Sequence, residues 1–395
     1  MIFCFDRRES VFGTNFFKLL TRISVKLCYN ESMRTRPLYG RRISRLQKLI
    51  IAALSCAVIF LTAQVPWLAE YFYARGITRG LGFWISRITG IFSVSFYEIT
   101  AVLLILAAVS LLVYFGVGLR KKEFARMLRV LYRLGMAVLC VLAMFGILYA
   151  PLYNRVSVYE ALGLSANVNV GQEDVYAAAE YYVEQLNLLA GELSRDEKGN
   201  VVAPYSFEET ANRINAEFDG YGNYFACYGI RPKAVALSVP MSYLGITGIY
   251  FPFYAEANVN TNIPSYVLPV TMAHEMTHAK GVSRENEANI TAYVLCIRSQ
   301  DVYLRYSGLM SAAAVTLNAL PEEDFNTLYE RLLPQIKQEY RNANEHYDKY
   351  EGIIDEISEF FNDLFLKANG VQDGTMSYGR TVESLVELYR EQSGE

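Results

Sequence analysis

Two of the chain's three histidines stand four residues apart in TMAHEMTHAKGVSRENEAN, residues 271–289, with a glutamate directly after the first. On a helix, positions i and i+4 share one face, so His274 and His278 can turn both imidazoles toward one ion while Glu275 lies beside them. This is the HExxH arrangement: Zn2+ takes the two histidines and a third protein ligand, a fourth position stays open for water, and the glutamate acts as general base. The plain alternative is a pair of exposed helical histidines, and three histidines in 395 residues make a chance match rare.

The neighbouring residues supply helix ends. Pro269 and Val270 lead into the motif, Gly281 falls where a left-handed cap would end the helix, and Ser283 suits the N-cap of a second helix running through Gln300. That second helix is the place to look for a third ligand. Beyond it the only remaining histidine is His346, so the nearer candidates are Glu285 and Glu287. They lie about 200° apart around a helix, and only one can face the metal. Glu285 shares its face with Ala288, Ala292, Cys296 and Asn289; small side chains let the two helices approach, and Asn289 could bond the free nitrogen of a ligand histidine. Glu287 shares its face with the bulkier Ile290, Thr291, Val294 and Arg298. Packing favours Glu285 and leaves Glu287 open. For an oxyanion stabiliser, Tyr303 and Tyr306 in DVYLRYSG are candidates among 30 tyrosines. Glu256, Asn258 and Asn260 in EANVN either line the cleft or form a turn, the turn being the plainer reading.

The elements that must hold this site begin in a membrane. The chain is 52% apolar and only 19% charged, and three uncharged runs, roughly 49–68, 99–119 and 134–154, are each long enough to cross a hydrocarbon core, which needs about 20 helical residues. Lys and Arg number eleven before the first run, three between the first and second, and six between the second and third (Arg120, Lys121, Lys122, Arg126, Arg129 and Arg133). Basic flanks stay in the cytoplasm, so the N-terminus is expected inside and the chain after the third span outside. Met33 opens a basic lead, MRTRPLYGRRISRLQK, and is a candidate translation start; an amphipathic cytoplasmic segment over residues 1–32 is the alternative.

Residues 1–48 are thus read as a cytoplasmic lead, 49–154 as the membrane region and 155–395 as one outer domain. That domain carries 17 Lys plus Arg against 34 Asp plus Glu, an acidic balance that argues against nucleic acid as a partner. Amphipathic patterns over 174–193 and 206–218 predict helices, the second with Ser206 at its start. Residues 233–260, rich in β-branched and aromatic side chains and broken by glycine and proline, are the strand region. Part of it, 234–254, is uncharged and long enough for a fourth span, but Pro240, Pro252, Gly245 and Gly248 and the lack of a basic flank favour one or two buried strands. From Pro321 onward a packed helical cap is expected. Cys227 and Cys296 are expected as two thiols rather than a disulfide.

HEMTH followed by ENEAN resembles the glutamate-ligand zinc metallopeptidases, the gluzincins, in which a second helix gives the third ligand and an acidic residue that orients a histidine. The resemblance implies Glu285 as ligand and Asn289, in place of an aspartate, as the orienting residue; the gap from His278 to Glu285 is shorter than in most such peptidases. More broadly, GITGIYFPFYAEANVN, the HExxHxxG and EAN run, and LKANGVQDGTMSYGR are similar to an uncharacterised bacterial family of membrane proteins with three N-terminal spans. Together these imply a membrane protein bearing a mainly α-helical α+β, zincin-like extracytoplasmic domain: a multi-pass peptidase of the bacterial cell membrane acting on peptides or envelope proteins. A non-catalytic sensor or binding protein on the same fold is the competing reading, which an intact Glu275 disfavours. An intramembrane protease is a third, against which the polar stretch after the motif argues.

Overall fold

The computed structural model describes residues 43–165, 169–352, 358 and 378–394. Met33, Cys4, Cys28 and most of the LKANGVQDGTMSYGR run lie outside them. Residues up to Lys48 belong to a separate N-terminal unit, and those from Leu49 onward to the main one.

Three helices are long and apolar enough to cross a membrane: α1 (Arg45–Ala63), α3 (Phe96–Arg120) and α4 (Phe124–Leu148). Most of their leucines, isoleucines and valines are exposed, as side chains facing lipid would be. Glycines set the approach between them. A methyl group on Gly146 would lie 2.9 Å from Ile59 of α1, and one on Gly118 2.9 Å from Met127 across the tight turn between α3 and α4. The third apolar helix starts ten residues before the expected 134, so Arg126, Arg129 and Arg133 sit on the helix itself. It stops at Leu148, and residues Ala150–Asn154 form a buried 3₁₀ turn instead of its last turn.

The first span also ends early, at Ala63, because Pro66 interrupts the apolar run. The chain then wraps back in a π-helical stretch, Leu68–Thr78, and a short helix α2 (Arg79–Thr89) before α3 begins. Glu70 of the π-helical stretch is 1% exposed and paired with Arg155, 3% exposed, at 3.0 Å, while Arg75 donates to the same carboxylate at 2.5 Å. Arg155 passes the link on to the carbonyl of Gly281 at 2.6 Å, directly behind the motif helix. Removing one member of a buried pair leaves the other charge without a counterion, so Glu70→Gln should cost about 3–5 kcal/mol of stability. Thermal unfolding of the detergent-solubilised variant would check this; an unchanged midpoint would show the pair to be dispensable.

The rest is mainly helical: α5 (Tyr159–Leu162), α6 (Gln172–Leu189), α7 (Phe207–Glu217), the five-residue α8 (Ser238–Ser242), α9 (Leu268–Ala279), α10 (Glu285–Ile297), α11 (Val302–Asn318), α12 (Glu322–Arg331), α13 (Pro334–Tyr347) and α14 (Tyr378–Ser393). Ser206 caps α7 by accepting from Glu209 N at 3.2 Å. The central α11 is buried along most of its length, and Gly308 lets α10 close on it: a methyl group there would meet Cys296 and Ile297 at 2.8 Å. Cys296 and the exposed Cys227 are free thiols.

The stretch expected as one or two strands, or as a fourth span, folds into three strands broken by α8: β1 (Lys233–Val235), β2 (Gly248–Phe251) and β3 (Glu256–Asn260). The order is β1-β3-β2, with β1 parallel and β2 antiparallel to β3. EANVN is therefore a buried central strand and not a turn. Side chains alternate along it. Ala257 and Val259 join the core, whereas Glu256, Asn258 and Asn260 reach hydrogen-bond partners. Glu256 accepts from Phe96 N and Tyr97 N at 3.0 and 3.2 Å, in the first turn of α3, where a carboxylate also meets the positive end of the helix dipole. Ser95 Oγ bonds Asn258 Oδ1 at 2.6 Å, and Glu98 accepts from Ala236 N and Leu237 N at 3.1 and 2.6 Å. The sheet is thus tied to the start of the second span.

Candidate metal centre

The motif helix α9 has Pro269 in its first turn, where no N–H is needed, and ends before Gly281, whose φ of 104° only glycine adopts without strain. Between these ends His274 and His278 fall on one face. Their Nε2 atoms lie 3.0 Å apart, and Glu285 Oε2, from the first turn of α10, is 3.3 Å from the first and 3.6 Å from the second. All three candidate ligand atoms lie within 4.8 Å of one another. Two ligands on a tetrahedral zinc about 2.0 Å away would be about 3.3 Å apart, so the donor set and its spacing fit that ion.

His278 is oriented through its other nitrogen, which lies 2.6 Å from the carbonyl of Val282. A carbonyl only accepts, so Nδ1 carries the proton and the Nε2 lone pair points at the cluster. Burial works against charge on His278, yet the Glu285 carboxylate pushes it up to about 9. Burial alone would raise Glu285, but the two imidazoles hold it well below the usual carboxylate range. The three groups attract one another strongly, as groups gathered for a cation do when only protons are there to share.

Glu275 lies beside the ligand face, its side chain packed against the sheet at Gly248. It is 4% exposed, and burial pushes it up to about 7 against the pull of the two imidazoles. Its Oε2 is buried without a hydrogen-bond partner. Gly248, at the start of β2, leaves it room: a methyl group there would come within 2.5 Å of Glu275 Cγ and Oε1. A buried carboxyl with one oxygen unsatisfied is costly unless something supplies the missing bond.

The structure separates the two candidate third ligands. Glu287 is turned the other way, accepting from Ser157 Oγ at 2.9 Å and from Arg284 at 2.5 Å. Ser283 does not cap α10; the helix starts after Arg284, and the Ser283 hydroxyl donates to the carbonyl of Tyr149 at 3.4 Å. Asn289 makes no hydrogen bond to either imidazole among the described residues, and at His278 the free nitrogen is taken by the Val282 carbonyl. His346 is elsewhere, its Nε2 2.9 Å from the carbonyl of Asn262. Both candidate phenols are also committed elsewhere. Tyr303 donates to the Ser265 carbonyl at 2.5 Å, and Tyr306 donates to Glu339 while accepting from Arg195.

Three other tyrosines line the site. Tyr149, the residue after the third span, has its hydroxyl 3.4 Å from His278 Nδ1. Its ring and that of Tyr250 in β2 lie 6.4 and 6.5 Å from the His278 ring. Tyr153 packs on Tyr149 and carries a buried hydroxyl with no partner; burial first and the nearby Glu285 charge second hold its phenol well above the usual value. Nothing in the local sequence flags these residues, because they come from the end of an apolar run and from a strand far from the motif. The observation that could have found them is the aromatic density of YAPLYN right after a membrane helix.

The architecture and the cluster together describe a chain with three helices long and apolar enough to cross a membrane, joined to a mainly helical unit with a small sheet and a His-His-Glu constellation. The chain belongs to the family described as "Protein of unknown function (DUF3810)", whose model matches residues 73–386. Comparison with curated proteins and with solved structures returns no match.

Proposed function

We propose that this chain is a membrane-anchored zinc metallopeptidase that hydrolyses peptide bonds in peptides or envelope proteins. The observation that carries the reading is the convergence of His274, His278 and Glu285 from two helices, with Glu275 buried beside them and one of its oxygens unpartnered. His274, His278 and Glu285 would hold the ion, which when bound supplies Lewis acidity and lowers the pKa of water. Glu275 accepts the proton of the attacking water and delivers it to the leaving amine. Among the described residues β2 is paired on one side only, and an extended substrate can add to its other edge beside Glu275. This local arrangement supports a zincin-like reading of the domain, with gluzincin-type ligands.

Orientation follows the basic residues. Arg120, Lys121 and Lys122 sit at the turn between α3 and α4 and Arg126 in the first turn of α4, a helix length of about 37 Å from the ends that meet the domain. With that turn in the cytoplasm, the domain faces outside the bacterial cell membrane. The test is elemental analysis of detergent-purified protein together with hydrolysis of fluorescein-labelled casein. Near-stoichiometric zinc and cleavage abolished by 1,10-phenanthroline are expected. Well-folded protein without zinc after supplementation would rule the reading out.

A further inference from the structure

Residues 64–95, between the first two spans, present one side to the domain and a different chemistry to the outside. On the inner side, a methyl group on Gly82 would lie 2.4 Å from the hydroxyl of Tyr228. Arg79 donates to the carbonyls of Asn223 and Tyr224 at 3.0 and 2.9 Å, and Thr89 to that of Tyr254 at 3.0 Å. The outer side is apolar. Leu81, Trp84 and Ile88, at positions i, i+3 and i+7, form one exposed stripe on α2, and Trp67, Ile91 and Phe92 elsewhere in the segment are exposed as well. A helix on a soluble domain turns such a stripe inward; here the small and polar side is docked and the stripe is bare.

The occupant of that face is lipid. The segment starts one residue after the first span and ends one residue before the second, so it is held at the bilayer surface at both ends. The chain has two tryptophans, Trp67 and Trp84, and both lie in this segment, 62% and 67% exposed. Tryptophan favours the headgroup level, where an apolar ring and an N–H donor are both satisfied.

The candidate site lies at the same end of the spans. Tyr149, which touches His278, directly follows the last residue of α4. Phe251, the last residue of β2, has its ring 5.3 Å from that of Tyr97 in the first turn of α3. From the membrane helices to the motif helix and the other edge of β2 is a matter of a residue or two on either side. We infer that the site opens at the bilayer surface and acts on polypeptide that is itself held in or on the membrane, cutting within a few residues of the lipid. This rests on the peptidase reading above. A tethered chain is confined to the layer where the site lies, which raises its effective concentration, and its apolar flank can stay in lipid while the extended part adds to β2.

The test uses the full chain, zinc-loaded, in vesicles of phosphatidylcholine and phosphatidylglycerol. Because both tryptophans are in the segment in question, their emission reports it without interference. Lipids brominated near the headgroup should quench that emission strongly; emission equal to that in unbrominated vesicles overturns the inference. In parallel, fluorescein-labelled casein is offered free and with a covalently attached palmitoyl chain. The tethered form should be cleaved at least about tenfold faster at equal concentration. Equal rates overturn the inference and leave the peptidase reading standing, whereas cleavage of neither form overturns both. The variant Trp84→Ser with Ile88→Ser should keep the free-casein rate and lose the preference. Retained preference, or conversion of a wild-type dimer to monomer with no lipid quenching, would show the face to serve another purpose and sink the inference.

Discussion

Glu285→Gln protein is expected to purify with less than about a tenth of the wild-type zinc, while Glu287→Gln keeps its metal and loses stability instead. The two residues are two positions apart on one helix, and the fold gives them opposite work. Glu285 Oε2 sits 3.3 and 3.6 Å from the two imidazole nitrogens with no other partner to satisfy it. An amide in its place keeps the shape and removes the charge that offsets a divalent ion. Even loss of a group that only orients a ligand costs roughly 10–100-fold in affinity, so loss of the ligand itself should exceed that. Glu287, by contrast, is buried against Arg284 and Ser157, and its change to glutamine should cost about 1–3 kcal/mol of folding stability through a weakened charged hydrogen bond. Elemental analysis after gel filtration, with His274→Ala and His278→Ala as references, reads the first effect, and thermal unfolding reads the second. Zinc retained by Glu285→Gln and lost by Glu287→Gln would reverse the assignment.

The separation of these glutamates shows how much of the site the sequence could carry. Helical periodicity is enough to say that only one of them can share a face with the histidines, and the small residues around Glu285 point to the one that lies beside the two imidazoles. What it lacked were the partners that hold Glu287: Ser157 lies 130 residues upstream and meets it only through the fold. The same reason accounts for Asn289. A residue one turn along the ligand's face was a reasonable partner for a histidine, but the Val282 carbonyl, delivered by the glycine turn after the motif, reaches His278 first. Tyr303 and Tyr306 looked available because they follow α10 closely in sequence. Instead they lie inside α11, where their hydroxyls bond Ser265 and Glu339.

The three apolar spans were legible because length and lack of charge suffice to mark them, whereas their ends were not. Pro66 and the turn at 149–154 end the first and third helices at points set by docking on the domain, not by loss of hydropathy. The outward stripe of Leu81, Trp84 and Ile88 between the first two spans is visible at helical spacing once α2 is known. EANVN misled for a different reason. Three polar residues in five suggest a turn, but their alternation with Ala257 and Val259 is a strand signal when the polar face meets the first turn of a membrane helix.

Glu275→Gln should retain near-stoichiometric zinc and lose hydrolysis by roughly a hundred- to ten-thousand-fold, the usual range for removing a general base. At about 1.36 kcal/mol per tenfold, this is about 2.7–5.4 kcal/mol of transition-state stabilisation. The substitution is close to isosteric, which matters here because Gly248 leaves no slack: a methyl group on it would already press within 2.5 Å of the side chain. Glutamine therefore fits the space, and the neighbouring ligand face of α9 keeps His274 and His278 where they are. What is lost is the ability to take a proton. Zinc by elemental analysis and casein cleavage in vesicles, both on the same preparation, separate the possibilities. A rate within a few-fold of wild type would mean that hydrolysis does not pass through Glu275. Loss of zinc with activity would mean that this carboxyl holds the helix in place rather than serving as base. Retained zinc with lost hydrolysis leaves one role for a buried carboxyl whose free oxygen has no partner among the described residues: the partner is the water of the reaction.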